Sequence, residues 1–442
     1  MVPWPPRRED PPRRVQGDMT KIEPHSVPSH AAATPPEAAA APAPRRRGRH
    51  REPPLALLVV ILASVQLGMT MYIPSLPAIA ADFNVSAAVA TLTLTVYLAF
   101  FAISQLVVGP LSDRFGRRPV VLGGVAAFVI ASFACAAAPT IELLIAMRAV
   151  QATGACCVIA VARAIVRDMY SREDSARALS VLGSAMGVTP AVGPILGGKL
   201  QVWFGWTASF YVMAAVAAVG FVLALFLLGE TRRHAGAPLN LFTILRNYVA
   251  LVRVRAFMGF SLTMGLATAT FQAFIAGAPI VLITLLGVAP DDFAFYTLVW
   301  PLAFTVGNFI SSRLTLRLGM ERLILIGNLV SVAAATVMVS LALAGVFTVA
   351  AIIVPALFLG MGNGLVSPNA MAGAVSERPD IAGAAAAMAG FLQMGMGAGL
   401  TIAVGLLHEA NQLPWSLIIF ATALCGLWVC GLLGPRGGRG GT

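Results

Sequence analysis

Apolar residues run along this chain in blocks of about twenty, separated by short clusters of charge, glycine and proline. A helix rises about 1.5 Å per residue, so a block of roughly 20 apolar residues matches the hydrocarbon thickness of a bilayer. Six blocks lie near 55–77, 89–110, 118–137, 140–163, 177–200 and 205–228, and six more near 256–286, 292–312, 322–343, 347–371, 381–407 and 413–433. The pattern predicts an all-α integral membrane protein with twelve transmembrane helices in two six-helix halves, 55–228 and 256–433. Between the halves, residues 229–255 hold Arg232, Arg233, Arg246, Arg253 and Arg255 and read as a polar linker. Residues 1–54 are rich in Pro, Ala and Arg without apolar periodicity; they are expected to be disordered, because they cannot bury enough surface to offset their ordering entropy. They also lack the apolar core of a cleaved signal peptide. Residues 434–442 form a short polar tail.

Composition narrows the function classes. With 58% hydrophobic and 11% charged residues, the chain has too little polar surface to dissolve as globular domains. The five cysteines, Cys135, Cys156, Cys157, Cys425 and Cys430, sit in apolar runs without metal-site spacing, so no metal is expected. The segment Gly193-Pro194-Ile195-Leu196-Gly197-Gly198-Lys199 superficially matches a phosphate-binding loop, but Leu200 stands where a Ser or Thr must hold magnesium. Direct ATP drive is therefore unsupported. A membrane-embedded enzyme or sensor would need a catalytic constellation, and none is found.

Arginine placement orients the chain, because positive loops are retained in the cytoplasm. Arg114, Arg117 and Arg118; Arg163, Arg167, Arg172 and Arg177; the linker arginines; Arg313, Arg317 and Arg322; Arg378; and Arg436 and Arg439 all fall on the side of the amino terminus. The opposite loops offer Asp82, Glu142, Asp291, Asp292 and Glu409, with Lys199 as their one cation. Both termini are expected in the cytoplasm. An internal repeat fits the two-half reading: Arg114-Phe115-Gly116 with Leu122 and Gly124 recurs at constant offset as Arg317-Leu318-Gly319 with Leu325 and Gly327.

Three motifs carry the chemistry. The loop from Gly109 through Pro110, Leu111, Ser112, Asp113, Arg114, Phe115, Gly116, Arg117 and Arg118 to Pro119 closely resembles the signature of the major facilitator superfamily. Its glycines allow a tight turn and close helix approach, and its Asp and Arg groups can form alternative ion pairs. The resemblance implies that Asp113, Arg114 and Arg117 lock and release a cytoplasmic gate, with Gly109, Gly116 and Arg118 in the same motif and Asp168 as a partner. In the fourth span, the stretch from Leu144 to Gly154 is similar to the superfamily motif whose arginine is associated with proton transfer. Arg148 fills that position and lies well inside the span, so it needs a polar cavity or a partner, and Gln151 shares its face. In the fifth span, Gly187 to Gly198 resembles the drug:proton antiporter motif, with Thr189 where many members have Gly. Gly193 and Gly197 form a small-residue face, Pro190 and Pro194 bend the helix, and Gly198 completes the motif; close packing against the other half is expected to vary with state. The stretches Tyr72-Ile73-Pro74-Ser75-Leu76-Pro77 and Arg163-Ala164-Ile165-Val166-Arg167-Asp168, with Gln105 ahead of Gly109, look like the Bcr/CflA-type drug-resistance exporters. Those relatives imply a twelve-helix major facilitator fold, alternating access, and multidrug efflux across the bacterial inner membrane in exchange for protons.

One departure bears on mechanism. Where relatives often carry an acid before the Tyr-Ile-Pro segment, this chain has Thr70, and no acid or histidine lies near a helix midpoint. The usual proton carrier, a carboxylate tuned by a low-dielectric cavity, is missing. Coupling then moves to the rim, to Glu142 or Asp113, or the protein is an uncoupled facilitator. Cationic drugs are expected to be poor substrates, and neutral amphiphiles or anions facing Arg148 better ones. The expected cavity comprises Gln66, Thr70, Tyr97, Arg148, Gln151, Phe271, Gln272, Asn363 and Gln393. The implied partners are a small-molecule substrate, protons and the lipid bilayer, with no cofactor and no nucleic acid, and the chain is expected to act as a monomer. The competing reading is a major facilitator carrier of a single metabolite that is not proton-coupled.

Overall fold

The computed structural model describes residues 55–169, 172–231, 241–406 and 412–433. The expected disordered tail (1–54) and the short tail (434–442) lie outside the described residues, as do Arg232 and Arg233. Among the described residues every regular element is helical.

The first half begins with α1 (Leu55–Thr70). Prolines at 74 and 77, which lack an N–H to continue a helix, break the first span into a turn, a 3₁₀ turn (Ile73–Ser75) and α2 (Leu76–Asp82). Helix α3 (Ala87–Phe115) starts where the Ser86 hydroxyl accepts from the Val89 N–H. It is followed by α4 (Arg117–Ala136), α5 (Ile141–Met169), α6 (Arg172–Phe204) and α7 (Thr207–Leu227). The second half holds α9 (Arg255–Pro279), widening into a π-helical turn over Ile280–Leu285 just past Pro279, then α10 (Pro290–Thr297) and α11 (Val299–Leu318). Helices α12 (Met320–Leu343), α13 (Val349–Ser376), α14 (Ala382–Leu406) and α15 (Leu413–Leu433) complete it. Eleven of these stretches are long and apolar enough to cross a membrane. Helix α6, 33 residues long and rich in glycine, takes the place of the fifth expected span.

Two expectations need correction. The polar linker contains a helix, α8 (Leu241–Val252), in which Ile244, Tyr248 and Leu251 recur at helical spacing and pack on the bundle. The stretch from Gly109 is not a loop either. Helix α3 continues through Gly109 and Pro110 to Phe115, a Cβ added at Gly109 would meet nothing, and Gly116 alone makes the turn at φ 98°. That left-handed conformation strains residues with a Cβ, and its repeat counterpart Gly319 adopts φ 80°.

Packing follows the repeat. Helices α1, α3, α4, α5, α6 and α7 pack mainly on one another, and α9 and α11 through α15 do likewise, whereas α10 packs chiefly on α6 of the first half. The α4–α5 crossing is so close that a Cβ on Gly154 would lie 2.5 Å from the Gly124 carbonyl; in the second half a Cβ on Gly362 would lie 2.6 Å from that of Gly327. Small residues allow this approach where lipid supplies no hydrophobic drive. Between halves, α3 packs along α14, with Thr95 and Thr401 hydroxyls 2.6 Å apart and Gln105 Nε2 donating to the Gly390 carbonyl at 3.3 Å. Helix α6 lies against α10 and α11.

Candidate functional site

Arg148 is fully buried inside the first half. Its Nη1 donates to the Gly68 carbonyl at 2.8 Å and to Gln151 Oε1, and its Nε donates to the Thr93 carbonyl at 3.3 Å. The guanidinium carbon lies 4.2 Å from the ring centres of both Tyr72 and Tyr97. Gln151 passes the chain on, its Nε2 donating to Ser132 Oγ at 2.6 Å. A guanidinium at mid-membrane costs about 2.5–3.5 kcal/mol on insertion scales, and a desolvated cation–π contact returns roughly 2 kcal/mol. Carbonyl dipoles and two π faces thus hold this charge without a carboxylate. The cluster ties α1, just before its break, to α3 and α5.

The cavity itself lies elsewhere, between the halves, and measures about 230 Å³. Gln66, Met69, Thr70, Ile73 and Met186 form one wall. The other wall is aromatic and amide-bearing, with Phe271, Gln272, Trp300, Phe304, Asn363 and Gln393 among its residues. Six of the nine expected residues therefore line it: Gln66, Thr70, Phe271, Gln272, Asn363 and Gln393. Tyr97, Arg148 and Gln151 do not. Their side chains are turned into the α1–α3–α5 packing, where the guanidinium finds its acceptors, so an anion in the cavity would not face Arg148. Among the described residues, no Asp, Glu, His, Lys or Arg lines the cavity.

Most polar groups in the wall are partly satisfied. Asn363 Nδ2 donates to the Ala267 carbonyl at 3.1 Å, Ser367 Oγ donates to Asn363 Oδ1 at 2.5 Å, and Gln393 Nε2 donates to Thr268 Oγ1 at 2.9 Å. Thr70 Oγ1 and Gln272 Nε2 are buried with no hydrogen-bond partner among the described residues. An unpaired buried polar atom costs about 1–3 kcal/mol, but both atoms are shut off from the cavity by the packing around them, the Thr70 hydroxyl lying against Gly193. Phe271 and Phe274 pack on Trp300 at 5.3 and 5.0 Å between ring centres, which stiffens the aromatic wall.

At the arginine-rich end, the turn at Gly116 carries a charge network. Arg117 Nη1 lies 2.7 Å from Asp113 Oδ1, and its Nε lies 2.9 Å from Asp168 Oδ2. Glu230, beyond α7, accepts from the Arg117 and Arg118 backbone N–H groups at 3.0 and 3.3 Å, placing a carboxylate on the amino end of α4. Two residues of the expected gate stand apart from the ion pairs: Arg114 lies over the Phe115 ring, and Arg118 Nη2 donates to the Leu225 carbonyl at 2.9 Å. Glu142 is exposed on the first turn of α5 and lines no part of the cavity. At the same end, Arg378 donates to Asp380 at 2.9 and 2.7 Å.

The fifth-span glycines face two neighbours. A Cβ on Gly193 would overlap Thr70 Oγ1, and one on Gly197 would overlap the Met71 carbonyl, so this face packs on the broken end of α1 in its own half. That corrects the expectation of a partner in the other half for Gly193 and Gly197; Gly198 does meet one, since a Cβ there would lie 2.5 Å from the Pro290 carbonyl. Pro194 is buried on the same helix; the side chain of Pro190 lies outside the described residues.

Sequence reading missed Thr268 and Ser367, although each sits four residues from a residue already singled out, Gln272 and Asn363, and so shares its face. It also missed Trp300, Phe304 and Met394, which as apolar residues in apolar helices carry no signal. Glu230 was legible only as an acid beyond the sixth span.

Comparison with known proteins agrees with this architecture. A family model described as Major Facilitator Superfamily matches residues 58–403. The chain is 31% identical over 367 residues to the uncharacterized MFS-type transporter YdgK of Bacillus subtilis, covering 81% of this chain and 90% of that protein. It is 29% identical over 332 residues to the bicyclomycin resistance protein homolog of Haemophilus influenzae, covering 75% and 83%. To the chloramphenicol resistance protein of Pseudomonas aeruginosa it is 35% identical over 267 residues, covering 58% and 63%. With the motifs, the twelve-helix arrangement and a match over most of its length in agreement, the chain belongs to the major facilitator superfamily.

Proposed function

We propose that this protein is a secondary exporter of uncharged amphiphilic antibiotic-like molecules, moving them out of the cytoplasm across a bacterial inner membrane by alternating access. The observation that carries this reading is a cavity between the halves whose lining, among the described residues, holds amides, hydroxyls and aromatic rings and no ionisable group. A cation entering it would lose hydration with no buried anion in compensation. A neutral molecule bearing a carbonyl or hydroxyl loses far less on entering a mostly apolar pocket with a few polar groups. The resistance names of two relatives, for bicyclomycin and chloramphenicol, support export of antibiotics. The arginines at the Gly116 end support placing that end, and both termini, in the cytoplasm.

Proton exchange, if it drives transport, runs in this reading through the Asp113–Arg117–Asp168 group at the gate, which holds carboxylates on both sides of one guanidinium. The absence of a titratable cavity residue favours a second reading, uncoupled facilitation of one neutral compound. Vesicles containing the purified protein separate the two. With chloramphenicol as an uncharged probe, accumulation that follows an imposed pH gradient supports antiport; accumulation blind to the gradient supports the facilitator. Gln272→Leu is expected to reduce uptake of the neutral probe about tenfold, whereas a lipophilic cation transported better than the neutral probe would overturn the cavity reading.

A further inference from the structure

Helix α8 presents three distinct strips. Tyr248 and Leu251 are buried among Phe257, Phe260 and Met388, and the Tyr248 hydroxyl donates to the Leu106 carbonyl of α3 at 2.8 Å. A second strip, Phe242, Leu245, Val249 and Val252, is 74%, 60%, 44% and 48% exposed. Arg246 and Arg253 are exposed as well, and no acidic residue occurs from 241 to 255. At about 100° per residue, the exposed apolar strip covers roughly 80° of the helix; Arg246 falls within about 40° of its Phe242 edge, and Arg253 follows directly after the last helical residue, Val252.

We propose that this outward face of α8 binds the anionic phospholipid surface of the leaflet at the arginine-rich end of the bundle, with its apolar strip among the upper acyl chains and Arg246 and Arg253 on lipid phosphates. Three features select this occupant. An apolar strip flanked by arginines is the composition of an interfacial helix. The helix runs directly into α9, which crosses the hydrocarbon, so α8 stands at headgroup depth. Its positive charge, with no acidic residue on the same segment, complements anionic lipid. The amino-terminal stretch of this chain is itself arginine-rich and is a poor match by charge. Because Tyr248 reaches α3 of the first half while Leu251 packs with residues of the second, a lipid-held α8 would brace the α3–α14 seam.

The test uses full-length protein with Cys425 and Cys430 replaced by Ser and a polarity-sensitive fluorophore on Leu245→Cys, or on Val249→Cys should the first variant misfold. In vesicles of phosphatidylglycerol and phosphatidylethanolamine, the label is expected to be quenched by lipids brominated near the top of the acyl chain. Replacing phosphatidylglycerol by phosphatidylcholine, or introducing Arg246→Gln with Arg253→Gln, is expected to weaken that quenching at least threefold. Quenching by aqueous iodide in place of brominated lipid would overturn the proposal. Shielding that persists in detergent would overturn it too, pointing to a second copy if the protein elutes as a dimer and to the amino-terminal segment if the two crosslink. None of these readouts requires transport, so failure here is distinguishable from failure of the export reading.

Discussion

The turns at Gly116 and Gly319 are copies of one backbone feature that have diverged in chemistry. Both glycines sit between two membrane helices with positive φ, 98° and 80°, and the helices that follow both cross a neighbour at a glycine–glycine contact. Around Gly116, Asp113, Arg117, Asp168 and Glu230 form a connected network. At the second turn the positions of Asp113 and Arg117 are taken by Leu316, 95% exposed, and Met320, and no ion pair among the described residues involves Arg313, Arg317, Glu321 or Arg322. The halves divide labour in their interiors as well: the first buries a guanidinium and locks it, while the second supplies most of the cavity wall, from neutral and aromatic groups. Geometry and charge are separable parts of the repeat, and only the first half kept both.

Alanine at each glycine gives the largest expected separation. Positive φ with ψ near 160°, as at Gly116 and Gly319, is a region kept almost wholly by glycine, and it costs a residue with a Cβ about 1–3 kcal/mol, a penalty shared by Gly116→Ala and Gly319→Ala. At Gly116 the new Cβ also lies 2.5 Å from Glu230 Oε2, whereas at Gly319 nothing lies within 4 Å. Displacing that carboxylate removes a cap worth roughly 1 kcal/mol. Thermal unfolding of the purified variants should therefore place Gly116→Ala several degrees below Gly319→Ala. Equal losses would mean that the network adds nothing to the turn.

Arg117→Met makes the first turn like the second, and is expected to act next most strongly. The side chain is 12% exposed and bridges carboxylates of α3 and α5, so its removal leaves Asp113 and Asp168 facing each other without a cation. We expect transport of the neutral probe to fall about tenfold, with normal yield in the membrane. Arg322→Ala, in the second half, should leave transport within about twofold. Glu230→Gln ranks below it: the amide still accepts from the Arg117 N–H but loses the charge that favours a helix amino terminus, about 0.3–1 kcal/mol, read as a small drop in unfolding temperature that vanishes at high salt.

Sequence reading succeeded where the signal was long and failed where it depended on helix phase. Blocks of about twenty apolar residues placed the spans within a few residues, because hydrocarbon thickness imposes that length. Helix α8 was overlooked, because its 12 residues fall below that length and its apolar positions are interrupted by Arg246. The burial of Arg148 was legible from one charge deep in a span, but the face it takes was not. That depends on the break after Thr70, which swings Tyr72 over the guanidinium and frees the Gly68 carbonyl region to receive it. Polar side chains in the cavity stood out against apolar helices; the apolar part of the same wall did not.

The smallest effect is a gain. Leu316→Asp with Met320→Arg rebuilds in the second half the i,i+4 pair that Asp113 and Arg117 form in the first, on a helix end that continues into the same kind of glycine turn. Nothing at that turn corresponds to Asp168, since the repeat offset places Met371 there, so the new arginine has one partner only. An exposed i,i+4 pair adds about 0.3–0.5 kcal/mol, and salt screens it. The double variant is therefore expected to raise the unfolding temperature by about a degree at low ionic strength, to lose that gain at high salt, and to leave transport unchanged. A marked change in transport would show that charge at the second turn also bears on transport, and the division of labour between the halves would have to be withdrawn.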